Sequence, residues 1–481
     1  MTQTHVALIG LAVMGSNLAR NIARHGYPVV VYNRTTSVTK AFMQDFGSSE
    51  SEGDFLPVES LEQLVATTAA PRQIILMIQA GKAVDLVLDQ LLPLLDRGDI
   101  LIDAGNAYFE DTIRRESYCS ELGISFLGIG VSGGEEGALH GPSIMPGGDR
   151  KAWEVVDPML RKISAQVHGE PCTSYVGPNG AGHFVKMVHN GIEYGDMQLI
   201  AEVYHLFTQV LGYSPEDLAR IFQEWNKGPL RSFLIEITSE IFREKDVSTG
   251  GFVVDAILDK AGQKGTGRWT VMEALKLGVS IPTIAAAVDA RVLSSQRDER
   301  VRASNLLGSL DNTTESLSSE KIEGALHDAL FSAKVLSYAQ GMYLMQRASL
   351  EYGWDLHLGE IASLWRGGCI IRADFLDSIR KAYDANPQLE NLVLDPSLRE
   401  QVLQSIDGLR TVVSLGADRG VPLPAMSASL AYFDSLRSAR LPQNLTQAQR
   451  DFFGAHTYER LDRSGVFHTH WGKGEEVKVT H

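Results

Sequence analysis

An apolar run, Val6 to Ile9, closes on Gly10, and G-L-A-V-M-G then opens a helical pattern through Ser16, Leu18, Ala19 and Ile22. A second apolar run follows, Val29 to Tyr32. Short unbroken apolar runs bounded by turn residues are buried strands. Strand, glycine turn, helix and strand in that order make a βαβ unit of the size that binds a dinucleotide. Further strands are expected at Ile74 to Ile78, Ile100 to Asp103 and Phe126 to Val131. Each runs into a small-residue loop: Q-A-G, A-G-N and S-G-G. Open parallel sheets bind ligands beyond the carboxyl ends of their strands. Asn106, Ser132, Gly133 and Gly134 are therefore candidates to meet a substrate or a cofactor.

From about Gly182 the alternation stops and helical patterns dominate. Trp225-x-x-Gly228-x-x-Arg231-Ser-Phe233-Leu234 is echoed by Trp365-x-x-Gly368-x-x-x-Arg372-Ala-Asp-Phe375-Leu376. Upstream of each lies a long helical pattern, beginning near Lys186 and near Lys334. A duplicated helical unit is expected, as two packed bundles. The fold class is thus an α/β Rossmann-type N-terminal domain (1–180), a large all-α domain with a duplicated bundle (181–440) and an extended C-terminal tail (441–481).

Within the first copy, K-M-V-H-N-G-I-E-Y-G-D-M-Q breaks the usual rule. Lys186, His189, Asn190, Glu193 and Tyr194 recur at the spacing that normally marks a core-facing stripe. A neighbouring stripe, Val185, Val188, Ile192 and Leu199, already supplies an apolar face. In the second copy Lys334 is followed by V-L-S-Y-A-Q-G-M, without the imidazole, amide and carboxylate. The helical fold therefore does not require the polar stripe, and a ligand-facing surface explains it. A lysine is a general base near neutral pH only if its pKa falls from about 10.4 towards 7–8, while a glutamate acting as acid needs the opposite shift. A dry site that holds the two groups apart serves both.

The end of the second strand narrows the cofactor. An NAD site usually places a carboxylate there for the ribose hydroxyl; this chain has Asn33-Arg34-Thr35. An arginine at that point suits the 2′-phosphate of NADP. The middle glycine of the G-x-G-x-x-G pattern is Ala12, which weakens the motif, while Gly10 and Gly15 keep the turn and the close packing.

Composition trims the alternatives. With 481 residues, more than one domain is expected. A balance of 44 basic and 59 acidic residues gives −15, which argues against a general nucleic-acid or acidic-membrane binder. The three cysteines form no C-x-x-C pair, as expected for the cytoplasm. No signal peptide and no membrane span are read in the sequence.

Taken together, these residues resemble the 6-phosphogluconate dehydrogenase family over essentially the whole length. The resemblance rests on G-L-A-V-M-G, N-R-T, V-S-G-G-E-E-G-A, G-P-S-I-M-P-G-G, G-A-G-H-F-V-K-M-V-H-N-G-I-E-Y-G-D-M-Q, D-K-A-G-Q-K-G-T-G-R-W-T and Q-R-D-F-F-G-A-H-T-Y-E-R. It implies oxidative decarboxylation of 6-phosphogluconate to ribulose 5-phosphate in the pentose phosphate route, with NADP as cofactor and no metal. It also implies a homodimer. Lys186 would be the base at the C3 hydroxyl and Glu193 the acid at C1 of the enediol. Gly10, Leu11, Ala12, Val13, Met14, Gly15, Asn33, Arg34, Thr35, Ile78, Gln79, Ala80 and Asn106 would line the cofactor. Asn106, Ser132, Gly133, Gly134, His189 and Asn190 would hold the carboxylate and hydroxyls of the substrate. Tyr194, Lys264 and Arg291 would hold its phosphate, joined by Arg450 and His456 from the tail of the partner subunit. Two departures touch the cofactor: many members have Lys at Gln79, and G-N-S-E-Y where this chain has Gly105-Asn106-Ala107-Tyr108-Phe109. Two other readings stay open at this level, a β-hydroxyacid dehydrogenase that does not decarboxylate and a non-catalytic NADP-binding scaffold.

Overall fold

The computed structural model describes residues 4–49, 51–308 and 319–479. They form two compact units, Met1–Leu430 and Ala431–His481. The first unit opens with strands β1 (Thr4–Ile9), β2 (Val29–Tyr32), β3 (Phe55–Pro57), β4 (Thr68–Leu76), β5 (Ile100–Asp103), β6 (Ser125–Val131) and β7 (Ile144–Gly148). They make one sheet in the order β3-β2-β1-β4-β5-β6-β7. All neighbours are parallel except β6 and β7. Strand side chains alternate between faces. Val6 and Leu8 therefore join one buried cluster, while Ala7 and Ile9 join another on the opposite face. Burial on both faces explains why these strands read as unbroken apolar runs.

The strand order reverses between β1 and β4, and ligands of open sheets bind at such a switch point. The loops leaving these two strands, Gly10–Ala12 and Met77–Gly81, flank it. The strand expected to run to Ile78 ends at Leu76. Met77 still donates to the Ile9 carbonyl at 2.9 Å, but the Gly10 turn then crosses beside it. A Cβ on Gly10 would lie 2.4 Å from the Met77 carbonyl oxygen. Strand β7 is missing from the periodicity because three of its five residues, Ile144-Met145-Pro146-Gly147-Gly148, are proline or glycine. An edge position tolerates that proline.

Helices dominate after Ala181. The first, Ala181–Gln209, begins after Pro178-Asn179-Gly180. The matching helix of the second copy, Ser319–Tyr352, starts well before Lys334, so that residue lies mid-helix rather than near the start. The echoed segments meet. Ser232 and Ala373 form an antiparallel bridge. Phe233 N donates to Arg372 O at 3.0 Å and Asp374 N to Arg231 O at 3.1 Å. The repeat is thus a physical pairing of the two copies.

The second unit, read in sequence as an extended tail, has structure of its own. A helix, Gln443–Gly454, is followed by strands Tyr458–Glu459, Val466–His470 and Glu475–Val479 in one antiparallel sheet. Asp451, fully buried, ties them together: it accepts from Thr457 N (2.9 Å), Thr469 N (3.0 Å) and Trp471 Nε1 (2.9 Å), and pairs with His468 (2.9 Å).

Candidate active site

Most of the polar stripe is buried as a core face would be, with Asn190 and Glu193 half-buried. Lys186 is 6% exposed, His189 0% and Tyr194 5%. Two features let the helix Ala181–Gln209 press this face against the sheet. A Cβ on Gly130 in β6 would stand 2.4 Å from the Lys186 Cβ, so glycine makes room for the lysine stem. A Cβ on Gly182 would stand 2.3 Å from the Gly128 carbonyl oxygen, so the helix start also needs a bare backbone. The site begins where helix and strand touch.

Around the lysine the groups form a chain. Lys186 Nζ lies 3.5 Å from His189 Nδ1. That nitrogen is 3.1 Å from Asn190 Oδ1 and 3.9 Å from Glu193 Oε2. His189 Nε2 is 3.3 Å from Ser132 Oγ, which joins the S-G-G loop to the stripe. Asn190 Nδ2 donates to Thr266 Oγ1 at 3.1 Å.

Burial drives the titration here. It lowers the pKa of Lys186, against the pull of Glu193. It raises that of Glu193, opposed by Lys186 and Arg291 and helped by Asp196. His189 is pushed well below its usual value by burial and by Lys186, so the imidazole is neutral. Desolvation penalises whichever form is charged, and it therefore moves an amine and a carboxyl towards each other.

Of the expected phosphate set, Tyr194 and Arg291 meet: the guanidinium sits 3.5 Å above the phenol ring and donates to the Gly262 carbonyl at 3.3 Å. Lys264 is exposed in the loop just before the helix Thr266–Lys276. Asn106 is exposed beyond β5. Gly133 and Gly134 take left-handed φ of 108° and 63°. Arg450 and His456 belong to the second unit, and both are exposed there.

The residues expected at the cofactor lie at the switch point. A Cβ on Gly15 would stand 1.9 Å from the Gly10 carbonyl oxygen, and the helix Val13–Arg24 has no side-chain cap and no acid in its first turn. Its free N–H groups suit a pyrophosphate. Asn33 Oδ1 accepts from Leu11 N at 3.1 Å, which holds the turn against β2. Arg34 and Thr35 are exposed. Among the described residues, no carboxylate forms an ion pair with Arg34. Ile78 and Ala80 are half-buried, and Gln79 is exposed. These features fit an anionic dinucleotide.

Some neighbours of the stripe carry no local signal. Trp365 packs edge-on to His189 with ring centres 5.6 Å apart, and Thr266 anchors Asn190. The echo marks Trp365 and Gly368 as repeat positions only. In the structure a Cβ on Gly133 would stand 2.6 Å from the Gly368 carbonyl oxygen, so the second copy shapes the S-G-G loop.

Comparison with known proteins adds to this geometry. A family model described as the NAD binding domain of 6-phosphogluconate dehydrogenase matches residues 5–177, and one described as the 6-phosphogluconate dehydrogenase C-terminal domain matches 182–471. A Bacillus subtilis protein named "6-phosphogluconate dehydrogenase, NADP(+)-dependent, decarboxylating" is 55% identical, over 98% of this chain and 100% of its own length. A Spinacia oleracea protein named "6-phosphogluconate dehydrogenase, decarboxylating 1" is 50% identical over 99% of each chain. A solved Plasmodium falciparum 6-phosphogluconate dehydrogenase, from a study of its apo form and its complexes with NADP+ and with 6-phosphogluconate, superposes with a TM-score of 0.93. It is 46% identical, over 97% of this chain and 100% of that one. With both halves matched and identity at this level along the whole length, the chain belongs to the 6-phosphogluconate dehydrogenase family.

Proposed function

We propose that the protein oxidises 6-phospho-D-gluconate at C3 with NADP and releases CO₂, leaving D-ribulose 5-phosphate. One observation carries the reading: Lys186, buried, and Glu193, half-buried with 21% of its side chain exposed, share a helix face on which burial moves their pKa values in opposite directions. Relatives whose names specify this activity support it.

When bound, the nicotinamide supplies the acceptor for the C3 hydrogen. Neutral Lys186 takes the proton of the C3 hydroxyl. In the β-keto acid the new C3 carbonyl is the electron sink for loss of the C1 carboxylate. Lys186, now an ammonium, stabilises the enolate oxygen. Glu193 enters this step protonated and delivers its proton to the former C2, which is C1 of the product. Ser132, His189 and Asn190 hold the carboxylate and hydroxyls with Asn106 and the Gly133-Gly134 backbone. Tyr194, Lys264 and Arg291 hold the phosphate. Gly10 to Gly15, Asn33, Arg34, Thr35 and Ile78 to Ala80 hold NADP, with Arg34 on the 2′-phosphate.

The same reading includes a cytoplasmic homodimer in which Arg450 and His456 complete the phosphate site of the partner. Two observations favour a second copy. At the end of the helix Arg297–Leu307, which buries none of its residues, Leu306 and Leu307 are 84% and 86% exposed. In the tail, Phe452 and Phe453 are 68% and 73% exposed. Apolar exposure of this kind marks an interaction surface. Absorbance of NADPH formed from 6-phosphogluconate, with NAD run in parallel, tests the function. Turnover with NADP and CO₂ release is expected, and no reduction with this substrate would refute it.

A further inference from the structure

Asp196 lies one helical turn beyond Glu193 and is fully buried. It points at the second copy of the repeat, where its Oδ2 accepts from Lys334 Nζ at 2.7 Å and from the Tyr338 hydroxyl at 3.3 Å. The Tyr338 hydroxyl also donates to the Ile371 carbonyl at 2.9 Å, so its one proton is shared between that nearer acceptor and Asp196, and Lys334 is the stronger partner of the carboxylate. Oδ1 is buried without a hydrogen-bond partner. A half-satisfied buried carboxylate is costly, and removing one member of such a pair costs more than the pair contributes. Packing has no need of it, since apolar residues could fill the same contact between the two helices. We propose that Asp196 is a positioning residue for the acid: clamped by Lys334 and Tyr338, its carboxylate holds a negative charge behind Glu193 and keeps that side chain protonated when the substrate needs a proton. The proposal rests on Glu193 being the acid.

The surroundings of Glu193 show why such a charge is useful. Lys186 and His189 face it from its own helix, Arg291 from the helix Pro282–Ser295, and Lys334 and Tyr338 lie behind Asp196. Lys186 and Arg291 favour the carboxylate form and would strip the proton early; His189 is neutral. Asp196 is the negative charge that opposes them. Burial raises the Asp196 carboxyl on balance, and the Lys334 ammonium 2.7 Å away, with the Tyr338 hydroxyl, pulls against that rise and favours the charged form. Lys334 thus has a function that its match, Lys186, does not share: it sustains a charge rather than moving a proton.

The test follows the protonation step alone, as exchange of the C1 hydrogens of ribulose 5-phosphate with solvent deuterium, read by NMR against pH on the whole enzyme. Removing a C1 proton from ribulose 5-phosphate needs the Glu193 carboxylate as its base, so exchange should rise with pH as Glu193 loses its proton. In Asp196→Asn that rise moves to lower pH by about one unit. Because Lys334 would then be buried unpaired, Asp196→Asn/Lys334→Met is the second arm. It should shift the same way by less, since Asp196 is the nearer charge. A folded double variant with the wild-type profile overturns the proposal, as does a shift to higher pH. Glu193→Gln separates the two claims: if it still exchanges with the wild-type rise, the acid is another group and the reading of Glu193 fails. If exchange is lost in Glu193→Gln yet the rise stays in place in the double variant, only the inference about Asp196 fails.

Discussion

Lys186 and Glu193 face opposite demands seven residues apart, and one cause serves both. Burial disfavours the ammonium and the carboxylate alike, so the amine is readied to accept a proton and the carboxyl to give one. Turnover should therefore be bell-shaped in pH, rising as Lys186 becomes neutral and falling as Glu193 ionises; the two limbs belong to the interacting pair. Because burial has lowered the lysine, the rising limb should lie below the range of an ordinary lysine. A rising limb in that ordinary range would contradict the assignment. Lys186→Met should cost about 10²–10⁴-fold in kcat, the usual worth of a positioned base. Glu193→Gln should slow turnover and leave substrate KM nearly unchanged. At the cofactor, Arg34→Ala should reduce the efficiency ratio of NADP to NADH-forming NAD turnover by roughly tenfold or more, as for loss of a charge-assisted hydrogen bond of about 1.5–3 kcal/mol. An unchanged ratio assigns the 2′-phosphate elsewhere.

At the level of elements, the helix Ala181–Gln209 shows what could be read in advance and what could not. Its polar stripe was legible because ionisable and amide residues stand at the spacing of core residues, and the second copy lacks the imidazole, amide and carboxylate. Its neighbours were not legible. Gly130 makes room for the lysine stem, and Trp365 and Thr266 brace His189 and Asn190, through contacts between positions far apart in sequence that no local period records. Strand β7 was lost to its proline and glycines, and Asp451 gave no hint that a buried carboxylate organises the tail. Gly130→Ala should lower kcat by roughly tenfold to a hundredfold, because the added methyl must displace the stem of Lys186, the proposed base. Equal kcat in the alanine variant would show that the contact relaxes freely. In the tail, burial raises the Asp451 carboxyl, but His468 and the N–H donors of Thr469, Trp471 and Thr457 outweigh it and bring its pKa to about 2. A folded-state value depressed in this way contributes stability above the unfolded value of about 3.9, and the contribution is lost as pH falls towards 2. Amide exchange in Val466–His470 should accelerate across that window, and Asp451→Asn should remove the dependence. A pH response that survives in Asp451→Asn would place its origin elsewhere.

For the molecule as a whole, the duplicated bundle divides labour between its copies. The first carries the proposed reacting groups; from the second, Trp365 packs on His189, Gly368 meets Gly133 and Lys334 pairs with Asp196. If tails are shared across a homodimer, mixing an inactive Lys186→Met chain with an inactive Arg450→Ala chain restores activity, because each mixed dimer holds one site free of both defects. Mixed dimers that form, shown by tagged pull-down, and stay inactive would rule out sharing. The central claim is that the buried Lys186 to Glu193 face carries out oxidation and decarboxylation as one sequence. Its most direct test measures NADPH and CO₂ together from 6-phosphogluconate, in the wild-type enzyme and in Lys186→Met. The account predicts equal amounts of both products from the wild type and neither from the variant at a comparable rate. NADPH without CO₂ from the wild type, or near-normal turnover in Lys186→Met, would contradict it.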